Sequence, residues 1–194
     1  MPTTTTLTVG TIGAGSVAQA IAAHAVRAGH RVILSNSRGP ESLAGLVEEL
    51  GPNASAGTVA EAARADLVIL AVRWEQVPEA VAEVDWDGRV VVDTTNHMDG
   101  EDSPERLAAL LPGAHVVKAF NTLYARVTKL DPVRDGGRLI VFLAGDDGGA
   151  KATTAGFIDS LGFAPVDLGD ARAQRLMQFD GGPLSALHAV KLEG

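Results

Sequence analysis

Six small residues, Gly13-Ala14-Gly15-Ser16-Val17-Ala18, have the types and spacing to hold a pair of phosphates. They follow an apolar run, Leu7-Thr8-Val9-Gly10-Thr11-Ile12, and open a small-residue helical stretch beginning at Gln19. This is the strand, tight turn and helix start that cradle a dinucleotide pyrophosphate. Gly13 permits the turn. Gly15 lets the backbone approach the phosphates. Ala18 lets the helix pack closely on its strand. The helix start adds unpaired N–H groups and the positive end of a dipole.

The second strand should carry the residue that reads the adenosine ribose. A carboxylate there, about 20 residues beyond the glycines, selects NAD. This chain has none at that tip. It reads Leu34-Ser35-Asn36-Ser37-Arg38-Gly39-Pro40. Hydroxyl and amide donors with a guanidinium attract a 2′-phosphate, which Arg38 can grip as a fork. The expected cofactor is therefore NADP(H).

Other candidates sit just past apolar runs, where a doubly wound sheet opens onto its ligand. They are Ala71-Val72-Arg73-Trp74, the stretch from Thr94 to His97, and Phe120-Asn121-Thr122. Amides such as Asn121 can fix a nicotinamide carboxamide. His97 is the candidate proton donor if the acceptor is a carbonyl or imine, with a plain loop histidine as the bland alternative. Lys118 either binds an anionic group of a second substrate or neutralises a nearby carboxylate. Trp74 either shields the cofactor or simply packs. Asp146-Asp147 reads as a helix cap rather than a metal site. The histidines at 24, 30, 115 and 188 lack ligand spacing, so no metal is expected.

Strands are expected at 7–12, 31–35, 67–72, 89–93, 115–119, 138–144 and 164–168, with a weaker one near 54–56. Helices are expected at 17–28, 41–50, 59–65, 78–84, 104–111 and 150–161. Continuously apolar runs such as Leu67-Val68-Ile69-Leu70 suit strands covered on both faces. The alternation implies an α/β fold, a doubly wound Rossmann-type parallel sheet with helices on both faces. Residues 1–194 read as one NAD(P)-binding domain. Within it, 169–194 reads as a helical extension, with helices at 170–177 and 184–192 around the Gly181-Gly182-Pro183 break.

Composition narrows the partners. The net charge of −8 argues against a nucleic-acid surface, which needs a basic face. Aromatics make up only 4%, too few for a stacking platform. Cysteine is absent, so disulfides and thiolate metal sites are excluded. No signal peptide and no membrane-length apolar run is evident, and a cytoplasmic protein that acts on small molecules is expected.

Taken together, the glycine turn, the Asn36-Ser37-Arg38 tip, Lys118-Ala119-Phe120-Asn121-Thr122 and Ala144-Gly145-Asp146-Asp147 resemble the NADP oxidoreductases dependent on coenzyme F-420. They also resemble the cytosolic reductase domain of the six-transmembrane metalloreductases of animals. The resemblance runs from about Leu7 to Leu192, and the Lys118–Thr122 string is closer to the metalloreductase version. It implies hydride transfer between NADPH and a flavin or deazaflavin, by homodimers. It implies that Ala14, Gly15, Ser16 and Val17 line the pyrophosphate and that Ser37 and Arg38 hold the 2′-phosphate. Val72, Arg73 and Trp74 would cover the middle of the cofactor, and Asn96, Asn121 and Thr122 would approach the nicotinamide. The residues themselves also allow an NADP-binding sensor without turnover, or a carbonyl or imine reductase.

Overall fold

A computed structural model describes residues 5–97, 104–134, 136–179 and 181–192. The chain begins with β1 (Thr8–Ile12), α1 (Ser16–Arg27), β2 (Arg31–Ser35), α2 (Ala44–Leu50), β3 (Ala54–Ala56) and α3 (Val59–Ala62). It continues with β4 (Leu67–Leu70), α4 (Val77–Val81), β5 (Val90–Asp93), α5 (Pro104–Leu110), β6 (His115–Ala119) and α6 (Ala125–Thr128). It ends with β7 (Val133–Arg134), β8 (Gly137–Ala144), α7 (Gly148–Ser160), β9 (Ala164–Asp167) and β10 (Val190–Leu192). Short 3-10 helices lie at Pro40–Leu43, Trp74–Gln76 and Ala171–Leu176.

The sheet runs β3-β2-β1-β4-β5-β6-β8, with β9 beyond β8. From β3 to β6 every pairing is parallel, so the C-terminal ends of β1, β2, β4, β5 and β6 share one edge. That is the edge at which such sheets bind ligands. All four residues of β4 are buried, because helices cover both of its faces. One face packs Ile21 and Ala22 of α1 and Phe157 of α7 onto the sheet. The other packs Ala62, Val77 and Leu107 from α3, α4 and α5. Gly10 is required there: a side chain would run into the backbone of Ala62, so α3 sits directly on β1.

The structure corrects the sequence reading in two places. β8 runs antiparallel to β6, so the sheet is mostly rather than wholly parallel. The stretch 170–177, read as helical, is helical over Ala171–Leu176, in the tighter 3-10 form. Residues 184–192 form turns and then β10, not a helix. The last change has a topological cause. The N-terminal part of β8, Gly137 to Leu139, extends past its pairing with β6, and Val190 to Leu192 fill that vacant edge. Backbone pairing there outweighs the weak helical signal of a short apolar segment. Residues 1–4, part of the stretch read for a signal peptide, lie outside the described residues.

Candidate active site

The glycine turn joins β1 to α1 at the shared strand edge. Gly13 is buried at φ 100°, and its N–H donates to the Ser35 carbonyl at 3.1 Å. A side chain on Gly13 would collide with the Ala71 carbonyl at the end of β4. The turn is thus wedged between the ends of β2 and β4. Gly15 is the N-cap of α1, in extended conformation, with no side chain capping the helix and no acid in its first turn. A Cβ built on Gly15 meets nothing within 4 Å. Gln19 braces the turn by donating from Nε2 to the Ala14 carbonyl at 2.9 Å. Ser16 is exposed, and Ala14 and Val17 are half-buried.

This arrangement fits a pyrophosphate. The first N–H groups of a 12-residue helix face outward without a competing side-chain acceptor. The open space over Gly15 is what a close-lying phosphate needs. In a chain of net charge −8, the absence of an acid in that first turn keeps the anion site uncompromised.

At the end of β2, Asn36 organises the tip. Its Oδ1 accepts from the Arg38 N–H at 2.9 Å, and its Nδ2 donates to Ser42 Oγ at 2.9 Å. Asn36 is therefore engaged within the loop, while Ser37 and Arg38 stand exposed beside it. The structure separates one turn-maker, Asn36, from the two outward-facing donors to which the resemblance assigns the 2′-phosphate.

Past β4, Ala71 and Val72 are half-buried and Arg73 is exposed. Trp74 meets His97 from the loop after β5, with ring centroids 3.5 Å apart and planes tilted by 38°. The Arg106 guanidinium of α5 lies 5.5 Å from the Trp74 ring centroid. Trp74 thus ties the β4 loop to the β5 loop and α5, and His97 is buried against it.

The ends of β5 and β6 carry a buried polar group of residues. The Lys118 ammonium lies 2.9 Å from Asp93 Oδ2, with side-chain exposures of 0% and 4%. Asp93 Oδ1 accepts the Thr95 N–H at 2.8 Å. Of the two roles read for Lys118, the structure shows the pairing with a carboxylate. Asn96 and Asn121 join reciprocally: Asn96 Nδ2 donates to the Asn121 carbonyl, and Asn121 Nδ2 donates to Asn96 Oδ1, both at 3.1 Å. Asn121 Nδ2 also donates to the Met177 carbonyl at 2.8 Å. Phe120, just before it, holds φ 64°, the left-handed region that is strained for a bulky residue. Its backbone turn re-aims the chain so that Asn121 enters the crevice while the Phe120 ring stays in the core.

Three buried oxygens in this region have no hydrogen-bond partner among the described residues: Thr95 Oγ1, Asn121 Oδ1 and Thr122 Oγ1. Buried polar atoms are satisfied in the great majority of cases. Unsatisfied oxygens clustered at two strand ends leave hydrogen-bond acceptors open there. The Thr122 carbonyl is covered instead by the Ala186 N–H at 3.0 Å. A separate cavity of about 180 Å³ lies on the α5 face of the sheet, lined by Asp93, Leu107, His115, Asp147 and Gln174 among others. Asp147 also caps α7, as its sequence context predicts, by accepting the Ala150 N–H at 2.7 Å.

Sequence reasoning missed Gln19, Asp93 and Met177. Gln19 and Asp93 were within reach of it, the first as the one polar residue between Val17 and Ala23, the second as the last residue of an apolar strand. Met177 contributes only its carbonyl, which no residue type announces.

Fold and strand-end geometry together fit the doubly wound α/β class that binds dinucleotides. Residues 8–97 match the family described as NADP oxidoreductase, coenzyme F420-dependent. The chain is 40% identical to the hypothetical protein SMa0349 of Sinorhizobium meliloti, whose crystal structure superposes with a TM-score of 0.89 over 96% of each chain. A protein of Arthrobacter sp. FB24 assigned as an F420-dependent NADP-reductase is 26% identical, with a TM-score of 0.69 over 87% of each chain. Metalloreductase STEAP3 of Rattus norvegicus is 31% identical over 193 residues, which is 95% of this chain and 38% of that protein. The chain thus spans little more than a third of the curated relatives it matches. The match to the coenzyme F420-dependent NADP oxidoreductases lies in the first half of the chain.

Proposed function

We propose that this protein transfers a hydride between NADP(H) and a conjugated ring acceptor, a flavin or a deazaflavin of the coenzyme F-420 kind. The observation that carries this reading is the strand-end crevice. It has an uncapped helix start under Gly15 at one end and the buried, unsatisfied Asn121 Oδ1 at the other. The match of residues 8–97 to NADP oxidoreductases supports NADP and a redox role.

The residues divide the work. The N–H groups at the start of α1, with Ala14 to Val17, hold the pyrophosphate. Ser37 and Arg38 hold the 2′-phosphate. Ala71 to Trp74 cover the middle. Asn96 aims Asn121, whose Oδ1 accepts from the nicotinamide carboxamide. When bound, NADPH supplies the hydride. The chain's own contribution is orientation and exclusion of water, which is most of what transfer between two rings demands. An imine or carbonyl acceptor would also need a proton, and His97 is the candidate on this loop. The same reading makes the protein a cytoplasmic homodimer.

One observation favours a second reading. Met177 and Ala186, from the C-terminal segment, lie against Asn121 and Thr122. The chain's own tail thus lies beside the nicotinamide end, as it would in an NADP-binding module without turnover. Stopped-flow mixing of NADPH with oxidised F-420, FMN, FAD and a cyclic imine separates the two. The expected result is NADPH consumption with a flavin or deazaflavin. Binding of NADPH without consumption by any acceptor would establish the second reading.

A further inference from the structure

We propose that the buried Asp93–Lys118 pair is a positioning device for the nicotinamide end, acting through Thr95 and Asn96 on Asn121; this rests on the reading that Asn121 receives the carboxamide. No step of the proposed hydride transfer needs a fully buried lysine, yet Lys118 is one of the largest side chains sealed in the core. Burying two charges is costly, and hydrophobic pairs of similar size hold a fold as well or better. A pair retained at this place therefore calls for a role that an apolar pair would not fill.

The contacts show what that role is. The register places Asp93 and Lys118 side by side as the last parallel partners of β5 and β6. One carboxylate oxygen is fixed by the Lys118 ammonium at 2.9 Å. The other accepts the Thr95 N–H at 2.8 Å. The loop is also pinned from the β4 side, where the Thr94 N–H and hydroxyl both donate to the Leu70 carbonyl, at 3.1 and 3.0 Å. The residue after Thr95 is Asn96, whose side chain makes the reciprocal pair with Asn121. A rotation of the Asp93 carboxylate would release Thr95, shift Asn96 and unlock the Asn121 amide. Lys118 prevents that rotation. It touches no substrate on this account; it fixes the group that fixes the loop.

The test compares NADPH with 2′,5′-ADP, a probe that carries the adenosine 2′-phosphate and lacks the nicotinamide. Both affinities are measured by calorimetry for the parent, for Asp93→Leu with Lys118→Met, and for Asn96→Ala. The paired swap keeps volume and removes both charges, so the fold should persist. 2′,5′-ADP should bind each variant within about twofold of the parent, which also certifies the fold. The advantage of NADPH over 2′,5′-ADP should fall about tenfold in the paired swap, the size of one lost hydrogen bond. It should fall similarly in Asn96→Ala, and adding Asn96→Ala to the swap should remove no more. An unchanged advantage in the swap, or losses that add in the combination, overturns the positioning role. If the parent itself binds NADPH no better than 2′,5′-ADP, the assignment of Asn121 to the nicotinamide fails instead.

Discussion

Asp93 and Lys118 stand opposite each other at the ends of β5 and β6, carboxylate and ammonium 2.9 Å apart and both side chains shut away from solvent. Both charges are largely withdrawn from bulk solvent. Removing one leaves the other uncompensated in a low-dielectric place, which is far worse than removing both. Lys118→Ala should therefore destabilise the fold by about 3–5 kcal/mol. Asp93→Leu with Lys118→Met should lose less, about 1–3 kcal/mol, for the Thr95 N–H left without its acceptor. Urea unfolding of the three proteins checks the asymmetry, and equal losses in both variants would show that the pair is not the electrostatic unit described.

On the proposed reading, Arg38 is the residue that separates NADPH from NADH. It stands exposed at the end of β2, on a tip held in shape by Asn36 and Ser42 rather than by itself. Its removal should leave the loop intact and take away a charge-assisted contact to the 2′-phosphate. Arg38→Ala should weaken NADPH binding by about 1.5–3 kcal/mol and leave NADH binding nearly unchanged. Titration by fluorescence or calorimetry reads both. Equal losses for the two cofactors would remove the 2′-phosphate from this residue.

The two glycines of the turn should fail in different ways. Gly13 has a positive φ and the Ala71 carbonyl against the position of a side chain, so Gly13→Ala strains the fold itself by about 1–3 kcal/mol. Gly15 has open space and an extended φ of −75°, so Gly15→Ala should change stability by less than about 1 kcal/mol. Its new methyl projects over the helix start, where the pyrophosphate is placed. NADPH affinity should drop about tenfold or more from Gly15→Ala, through lost close approach. Thermal unfolding and NADPH titration, run on both variants, distinguish the loss of fold from the loss of binding.

Much of this was legible in the chain. β2 and β6 match the sequence reading residue for residue, because apolar runs in a sheet carry their own boundaries, and the weaker strand read near 54–56 coincides with β3. The glycine turn was legible because its chemistry leaves few alternative residues at each position. The short elements were not. α6 is four residues long, and the helix read at 41–50 begins as a 3-10 turn at Pro40. Segments of that length carry too little periodicity to declare themselves. β10 was illegible for a different reason: its conformation comes from the edge of β8, more than 50 residues earlier in sequence. The same holds for the site. Residue types single out Arg38 and Asn121 as candidates, whereas the Asp93–Lys118 pairing and the Met177 carbonyl contact are products of the register and of a returning tail.

Acid should weaken the fold through two histidines remote from the crevice. His30 accepts the Leu7 N–H on Nδ1 at 3.1 Å, and its Nε2 lies 2.8 Å from Ser160 Oγ. The Ser160 hydroxyl donates to the Phe157 carbonyl at 2.6 Å, so it must accept from Nε2–H. His24 is bound in the same sense. Its Nε2 faces the Thr128 carbonyl at 2.7 Å, and its Nδ1 faces an Arg27 donor at 3.0 Å. Each ring is thus fixed as the neutral Nε2–H tautomer, with a donor already against Nδ1, where a second proton would go. Burial pushes both below the ordinary histidine value of 6.5; at His24 the Arg27 charge adds to this, while the Thr128 carbonyl and Asp131 oppose it. Because the native state resists protonation and the unfolded chain does not, the unfolded state binds more protons as pH drops. The stability is therefore complete above about pH 6.5 and is lost as pH falls from there through the lowered native values. Urea unfolding at about pH 7.5 and about pH 5.5 should show the decline. Replacing His30 by Gln, which offers one donor and one acceptor without a titrating ring, should shrink it. A decline of the same size in His30→Gln would assign the acid sensitivity to other groups.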